Sequence, residues 1–180
     1  MTTQKTTRNT TDRQTAWDAA ATVNDPEIPV LSIVDLGILR DVTVTGDDHP
    51  AVTVTITPTY SGCPAMSQIT ADVTTALRHA GFDAVQVRTS LSPAWTTDWM
   101  TEDGRRKLKD YGIAPPTHRT RRNGPVALQL GVRTTGTPDV SCPHCGSRHT
   151  RELTRFSSTS CKALYICDDC HEPFAYFKVH

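Results

Sequence analysis

Three segments of the chain alternate β-branched with polar residues. They run from Leu39 to Thr45, from Ala51 to Thr57 and from Ala84 to Leu91. Alternation of this kind is typical of strands that bury one face. The break between the first two segments, from Gly46 to Pro50, predicts a loop, so we expect these two strands to pair as an antiparallel hairpin.

Helices are predicted where apolar residues recur at spacings of three and four. One short segment of this kind covers residues 14–23, and a longer one follows the second strand and ends at Gly81, which suits a left-handed stop. Thr101 is a suitable N-cap for a third, basic helix that ends near Gly112. The apolar face of the longer helix comprises Met66, Ile69, Val73, Leu77 and Ala80. The order of elements predicts an α+β fold, a small sandwich with helices on one face of a sheet.

A cysteine lies where the second strand gives way to the longer helix. The sequence reads Ser61-Gly62-Cys63-Pro64, and Pro64 suits the first helical position because its missing N–H would have no partner there. Cys63 would then lie near the N-cap, where the helix dipole and the unpaired N–H groups of the helix favour a thiolate. On local chemistry alone, Cys63 could serve as a nucleophile, a redox sensor or a metal ligand.

The segment from Asp25 to Leu39 mixes acidic side chains with apolar side chains and prolines, and it contains Asp35 and Gly37. Its composition is equally consistent with a functional loop and with a packed connector whose carboxylates are solvated. Trp95 and Trp99 also allow two interpretations. They could anchor the basic helix on the sandwich, which is the more frequent role, or form part of a partner surface.

Four of the six cysteines form two Cys-x-x-Cys pairs, Cys142 with Cys145 and Cys167 with Cys170, separated by 21 residues. Two such turns can place four thiolates around one tetrahedral ion, which predicts a C-terminal zinc ribbon. Zinc is the expected structural metal, although four thiolates can also hold iron or an iron–sulfur cluster. Cys161 is expected to be a small buried side chain and not a fifth ligand.

Composition limits the classes of function. Basic and acidic residues balance at 19 each, which gives no overall field toward nucleic acid or an anionic membrane. The sequence has no membrane-spanning apolar run and no signal-peptide core, so we expect a cytoplasmic protein. It also lacks phosphate-binding loops, His-Glu-x-x-His, Gly-x-Ser-x-Gly and Glu-x-x-His motifs, so we do not expect it to be an enzyme by itself.

The expected domain organisation has four parts. Residues 1–13 are polar and threonine-rich, which predicts a disordered tail. Residues 14–115 would form the α+β domain, residues 116–139 a linker, and residues 140–180 the ribbon.

Several motifs resemble a known family. Asp25-Pro26-Glu27-Ile28-Pro29, the stretch 33–38 and the stretch 57–64 resemble signatures of the MIP18-like (DUF59) domain, which occurs in iron–sulfur assembly factors. The stretch 111–116, the ribbon and the stretch 158–165 are similar to the PaaD family, which belongs to the phenylacetyl-CoA 1,2-epoxidase (ring-oxygenase) system. The resemblance extends from Thr15 to His180.

This resemblance implies an accessory, non-catalytic subunit in aerobic phenylacetate catabolism, which assists assembly or maturation of an iron or iron–sulfur centre. It implies that the di-iron centre and the reductase lie on other subunits of the epoxidase complex, which would be its partners. Cys63 would be a transient iron or cluster ligand, and Asp35 would line the same site. The other residues of the two motif loops are Gly37, Ser61, Gly62 and Pro64. No nucleic-acid or membrane partner is implied, and a homodimer is left open.

Two other hypotheses fit parts of the sequence. A nucleic-acid-binding ribbon would use Arg119, Arg121, Arg122, Arg148 and Arg151, but the balanced charge disfavours it. A thiol oxidoreductase would use Cys63, but no resolving cysteine lies near it in the sequence.

Overall fold

The computed structural model describes residues 2–46, 50–117 and 139–178. Residue contacts divide the chain into two compact units, with the division between Tyr111 and Gly112. The elements of the first unit are α1 (Thr2–Ala21), β1 (Leu39–Thr45), β2 (Ala51–Ile56), α2 (Ala65–His79), β3 (Ala84–Thr89) and α3 (Glu102–Asp110). The elements of the second are β4 (Ile113–Ala114), β5 (Thr150–Thr154), β6 (Lys162–Cys167) and β7 (Pro173–Phe177).

The first unit is built on a three-stranded sheet of order β1-β2-β3. β1 and β2 pair antiparallel, with Val42 opposite Val54, which confirms the predicted hairpin. β3 pairs parallel with β2, with Val87 opposite Val54, because α2 carries the chain back across the sheet.

Both long helices of this unit contact the sheet. Along β2, Val52, Val54 and Ile56 are buried and alternate with half-buried residues. Helix α1 packs on β1 and on α2, and α2 packs on β3. The predicted apolar face of α2 is largely correct, since Ala65, Ile69, Val73 and Leu77 are buried, and each fully buried aliphatic side chain contributes about 2 kcal/mol. The α+β class is therefore confirmed.

Helix α1 differs from its prediction at both ends. It begins at Thr2 and ends at Ala21, so the backbone is helical where the sequence predicted a disordered tail and a helix starting at residue 14. The apolar pattern starts only near residue 16, where Ala16 and Ala20 are buried. Once those turns are formed, each further helical residue costs little, and Arg13 adds a hydrogen bond from its Nε to the carbonyl of Val42 at 2.7 Å.

The second unit is a four-stranded sheet of order β4-β7-β6-β5. β5, β6 and β7 form an antiparallel meander, and its core includes Tyr165, Phe174 and Tyr176. The rings of Tyr165 and Tyr176 meet edge to face, with centroids 5.4 Å apart.

The boundary between the units falls earlier in the chain than the predicted end of the α+β domain at residue 115. Ile113 and Ala114 pair with Ala175 and Tyr176 of β7, so they belong to the second sheet. The apolar pattern of two residues is too short to assign them to either sheet. Most of the predicted linker and the strand predicted within it lie outside the described residues.

Gly37 lies where the loop before β1 approaches Trp99. Its φ is +67°, and a Cβ built on it would lie 2.5 Å from the carbonyl oxygen of Trp99 and 2.6 Å from the Trp99 Cβ. Both the backbone angle and the contact therefore require glycine. Arg40 stacks on the other side of this junction, with its guanidinium carbon 3.5 Å from the centre of the Trp99 ring.

We expect Gly37→Ala to lower the free energy of unfolding of the first unit by about 3 kcal/mol or more, because the added methyl group meets backbone atoms that cannot turn away. Gly81→Ala is the matched control. Gly81 has φ +93° but nothing within 4 Å of its built Cβ, so only conformational strain of about 1–2 kcal/mol is expected. Urea unfolding followed by tryptophan fluorescence measures both, and equal losses would contradict the proposed contact.

Candidate functional site

Cys63 lies on the turn that leads into helix α2. Its N–H donates to the carbonyl of Tyr60 at 3.1 Å, and its own carbonyl accepts from the N–H of Met66 at 3.4 Å. The N-cap is Pro64, so Cys63 lies one residue before the position expected near the cap. Cys63 is half-buried, while Ser61, Gly62 and Pro64 around it are exposed. None of the six cysteines, all of which lie in described parts of the chain, forms a disulfide.

An open cavity of about 270 Å³ lies beside this turn. Thr57 and Thr59 are buried residues of its wall, whereas Leu91 at its edge is 59% exposed. The complete lining comprises Thr57, Pro58, Thr59, Tyr60, Ser61, Leu91, Ala94 and Trp95. The turn that carries Cys63 thus borders a surface concavity that is accessible to a small molecule or to a segment of another protein.

Trp95 connects the cavity wall to the loop before β1. It is 5% exposed, and its indole N–H donates to the carbonyl of Leu36 at 2.8 Å. Together with the contact between Gly37 and Trp99, this bond gives the tryptophan segment the anchoring role, one of the two roles that the sequence allowed.

Asp35 has a buried carboxylate that is hydrogen-bonded on both oxygens. Oδ2 accepts from Lys107 Nζ at 2.8 Å and from the Ser32 N–H and hydroxyl at 3.0 and 2.9 Å. Oδ1 accepts from the Thr101 hydroxyl at 3.2 Å. These partners belong to its own loop and to helix α3 with its N-cap, so the carboxylate ties the loop to the helix. The expectation that Asp35 lines the Cys63 site rests on the family resemblance and stays a prediction.

The charge balance around Asp35 explains why it remains ionised. Burial alone would raise the pKa of Asp35, but the hydrogen bonds from Lys107 and Ser32 outweigh burial and leave its pKa below the ordinary value. The same hydrogen bond raises the pKa of Lys107. Sequence reasoning missed Lys107, because a salt bridge between residues 72 positions apart leaves no local pattern.

The four paired cysteines of the second unit come together as the sequence predicted. All four sulfur atoms lie within 4.8 Å of one another. Cys142 Sγ is 3.8 Å from Cys170 Sγ, and Cys145 Sγ is 3.6 Å from Cys167 Sγ. Metal–sulfur bonds of about 2.3 Å in a tetrahedron give sulfur–sulfur edges of about 3.8 Å, so the four thiols fit one tetrahedral metal ion.

The backbone around the second cysteine pair stabilises negative charge on sulfur. The N–H groups of Cys170 and Asp169 lower the pKa of Cys167 to about 7. The Glu172 N–H also favours the Cys170 thiolate, but burial and the neighbouring sulfurs raise its pKa to about 12. Four thiolates this close repel one another unless a cation binds them, so a bound metal would supply the charge that keeps all four deprotonated.

Polar contacts hold the second cysteine pair in place. Asp169 accepts from the hydroxyl of Ser147 and contacts His149 Nδ1 at 3.2 Å, and Arg151 Nε donates to Asp168 at 3.1 Å. Arg148 pairs with Asp139 at 3.2 Å. Two of the arginines considered for nucleic-acid binding therefore contact carboxylates, and the other three lie outside the described residues.

Cys161 lies in the same unit and is 9% exposed. Its sulfur is 3.0 Å from the Thr159 hydroxyl. Among the described residues, the group of four sulfurs that could hold a metal does not include it.

Fold and site together define a class of protein, an α+β domain of the iron–sulfur assembly type joined to a four-cysteine ribbon. Residues 13–88 match the family model described as iron-sulfur cluster assembly protein, and residues 129–178 match the PaaD zinc beta ribbon domain. A solved structure from Bacillus anthracis, of a DUF59 domain, superposes with a TM-score of 0.50 at 27% identity, covering 56% of this chain and 93% of its own.

A curated protein of Escherichia coli K12, named as the PaaD-type component of 1,2-phenylacetyl-CoA epoxidase, is 47% identical over 163 residues, which cover 90% of each chain. The chain therefore belongs to this PaaD family of epoxidase subunits. A Porphyromonas gingivalis protein named Fe-S protein maturation auxiliary factor is 39% identical over 88 residues, covering 48% of this chain and 81% of the relative. A Staphylococcus aureus protein with the same description, SufT, is 39% identical over 80 residues, covering 44% and 88%.

In the part of the chain that the structure describes, no helix combines the length and the apolar character that crossing a bilayer requires.

We expect Asp35→Asn to lower the free energy of unfolding of the first unit by about 2 kcal/mol at neutral pH, because Lys107 loses a charged, buried partner. The lowered pKa of Asp35 means that its contribution is present above about pH 4 and is lost as the pH falls through the folded-state pKa. The difference between wild type and variant should therefore shrink in acid. Tryptophan fluorescence in urea measures it, since Trp17, Trp95 and Trp99 all lie in the first unit.

Asp103→Asn is the matched control for Asp35→Asn. Asp103 pairs with the same Lys107 Nζ at 3.3 Å but is 47% exposed, so its removal should cost less than about 0.5 kcal/mol. Equal losses in the two variants would contradict the special role of Asp35.

We expect the purified chain to carry one zinc ion, and Cys167→Ser to lose that zinc and unfold the second unit, because a site of three thiolates binds zinc more weakly. Elemental analysis with an assay for acid-labile sulfide measures the metal. Cys161→Ser should retain zinc and serves as the control. Iron and sulfide in amounts equal to the protein would show a cluster in place of zinc.

Proposed function

We propose that this chain is an accessory subunit of the phenylacetyl-CoA epoxidase system that helps to assemble or mature an iron or iron–sulfur centre on another subunit. The observation that supports this proposal most directly is Cys63, a half-buried thiol on an exposed turn beside an open cavity. A ligand that passes a metal on must be reachable by both donor and acceptor, and this location meets that condition.

The two groups of cysteines have different chemical roles in this proposal. The ribbon offers a complete set of four thiols to one ion, and closed four-thiolate sites are structural and release metal slowly. Cys63 supplies a single sulfur at the N-terminal end of α2, where the helix dipole stabilises negative charge. A single protein ligand leaves the remaining positions of an iron ion or cluster open to the receiving protein.

The relatives support the same division of labour. The two relatives named as Fe-S protein maturation auxiliary factors match 48% and 44% of this chain, and the iron–sulfur assembly model covers residues 13–88, which include Cys63. The Escherichia coli relative, which matches nearly the full length, is named as an epoxidase subunit. We therefore propose that the chain acts in the cytoplasm with the other epoxidase subunits and does not itself carry out the ring chemistry.

The test is Cys63→Ser, which keeps the size of the side chain but replaces a strong iron ligand with a weak one. We expect the unfolding midpoint and the zinc content to be unchanged, because Cys63 lies outside both the sheet core and the four-sulfur cluster. Epoxidase activity in cells, and the iron content of the other subunits purified from those cells, should both fall several-fold.

Ser67→Ala, in the first turn of the same helix, is the control and should leave both quantities unchanged. Wild-type growth on phenylacetate together with a normal iron content in the Cys63→Ser strain would refute the role of Cys63. A loss of activity with a normal iron content would indicate a contact with the oxygenase in place of metal delivery.

A further inference from the structure

β3 forms one edge of the sheet in the first unit, and no described strand pairs with its outer side. The N–H of Ser90 donates to the carbonyl of Ile56 on β2 at 2.8 Å. Because backbone groups alternate in direction along a strand, the N–H and C=O groups of Val85, Val87 and Thr89 point away from β2. The outer side of β3 therefore offers a row of hydrogen-bonding groups to another strand.

The side chains of β3 are less covered than those of its neighbour. Val85 and Val87 are only half-buried, whereas Val52 and Val54, their partners on β2, are 1% and 0% exposed. Leu91 follows shortly after the strand and is 59% exposed. These apolar groups form a strip along the sheet edge that a further strand would cover. β3 contains no proline, which is one of the devices that protect an edge from pairing.

The charges of this strand are opposite at its two ends. Asp83 immediately precedes β3, and Arg88 lies near its C-terminal end. Among the described residues neither takes part in an ion pair, and Arg88 Nε donates to the neighbouring Gln86 side chain at 3.0 Å. A second β3 arranged antiparallel would bring each Arg88 to the Asp83 end of the other strand, whereas a parallel arrangement would bring like charges together.

We propose that the free edge of β3 pairs antiparallel with β3 of a second copy of this chain, about a two-fold axis at Gln86. This register places Val85 of each copy opposite Val87 of the other, which keeps the half-buried valines on one face. It joins two three-stranded sheets into one six-stranded sheet. One pair of short strands forms a small interface, so the dimer dissociates on dilution.

The register is tested by a cysteine at the axis. Gln86 would face its own copy in a pair without direct hydrogen bonds, where the Cα atoms lie about 4.5 Å apart, within the range of a disulfide. Gln86→Cys should give a covalent dimer on mild oxidation of the full-length, zinc-loaded chain. Thr53→Cys, on the same sheet face but on the central strand, is the control. Equal amounts of covalent dimer in both variants would overturn the proposal.

Charge reversal tests the orientation independently. Arg88→Glu should raise the dimer dissociation constant by about tenfold or more, because it faces Asp83 of the other copy, and adding Asp83→Arg should restore dimerisation. Sedimentation equilibrium measures the constant, tryptophan fluorescence checks that each variant is folded, and Arg78→Glu on helix α2 is the control. A wild-type chain that stays monomeric at every concentration, or equal effects of Arg88→Glu and Arg78→Glu, would overturn the proposal.

Discussion

The first unit depends on a buried carboxylate that has to keep its partners. Asp35 lies under the loop before β1, and the ion pair with Lys107 and the bonds from Ser32 and Thr101 replace the water it has lost. Because these partners come from the loop and from helix α3 with its N-cap, the carboxylate fixes one on the other. The close approach of Gly37 to Trp99 and the bond from Trp95 to Leu36 then follow. Trp95 in turn forms part of the cavity beside the turn of Cys63, so the candidate site inherits its shape from a distant charge.

The two units treat sulfur in different ways. In the ribbon, four thiols meet at tetrahedral spacing, and backbone N–H groups and a small aromatic core surround them. Such a site is suited to holding a metal, because the fold of a small sheet and its metal stabilise each other. In the first unit one thiol lies at a helix start with exposed neighbours. A single chain can thus combine a permanent metal site, which maintains its own structure, with a thiol that is accessible to others.

Local patterns predicted the features that depend on local chemistry. The spacing of the four ribbon cysteines, the hairpin of β1 and β2 and the apolar face of α2 each arise from residues close in the sequence. Three features could not be predicted in this way. The start of α1 depends on the propagation of a helix through threonines, β4 consists of two residues that only their pairing with β7 defines, and the partner of Asp35 lies 72 positions away. Each requires knowledge of contacts that form only in the folded chain.

The short strand β4 bears on how such two-domain proteins can be assembled from parts. Ile113 and Ala114 follow directly after helix α3, yet they complete the edge of β7 at Ala175 and Tyr176. A gene fusion or a truncation that starts the ribbon at its first cysteine would leave this edge without its strand. Recombination between relatives should therefore succeed when the crossover lies at the end of α3, before Gly112, so that the ribbon is inherited with the strand that closes its sheet.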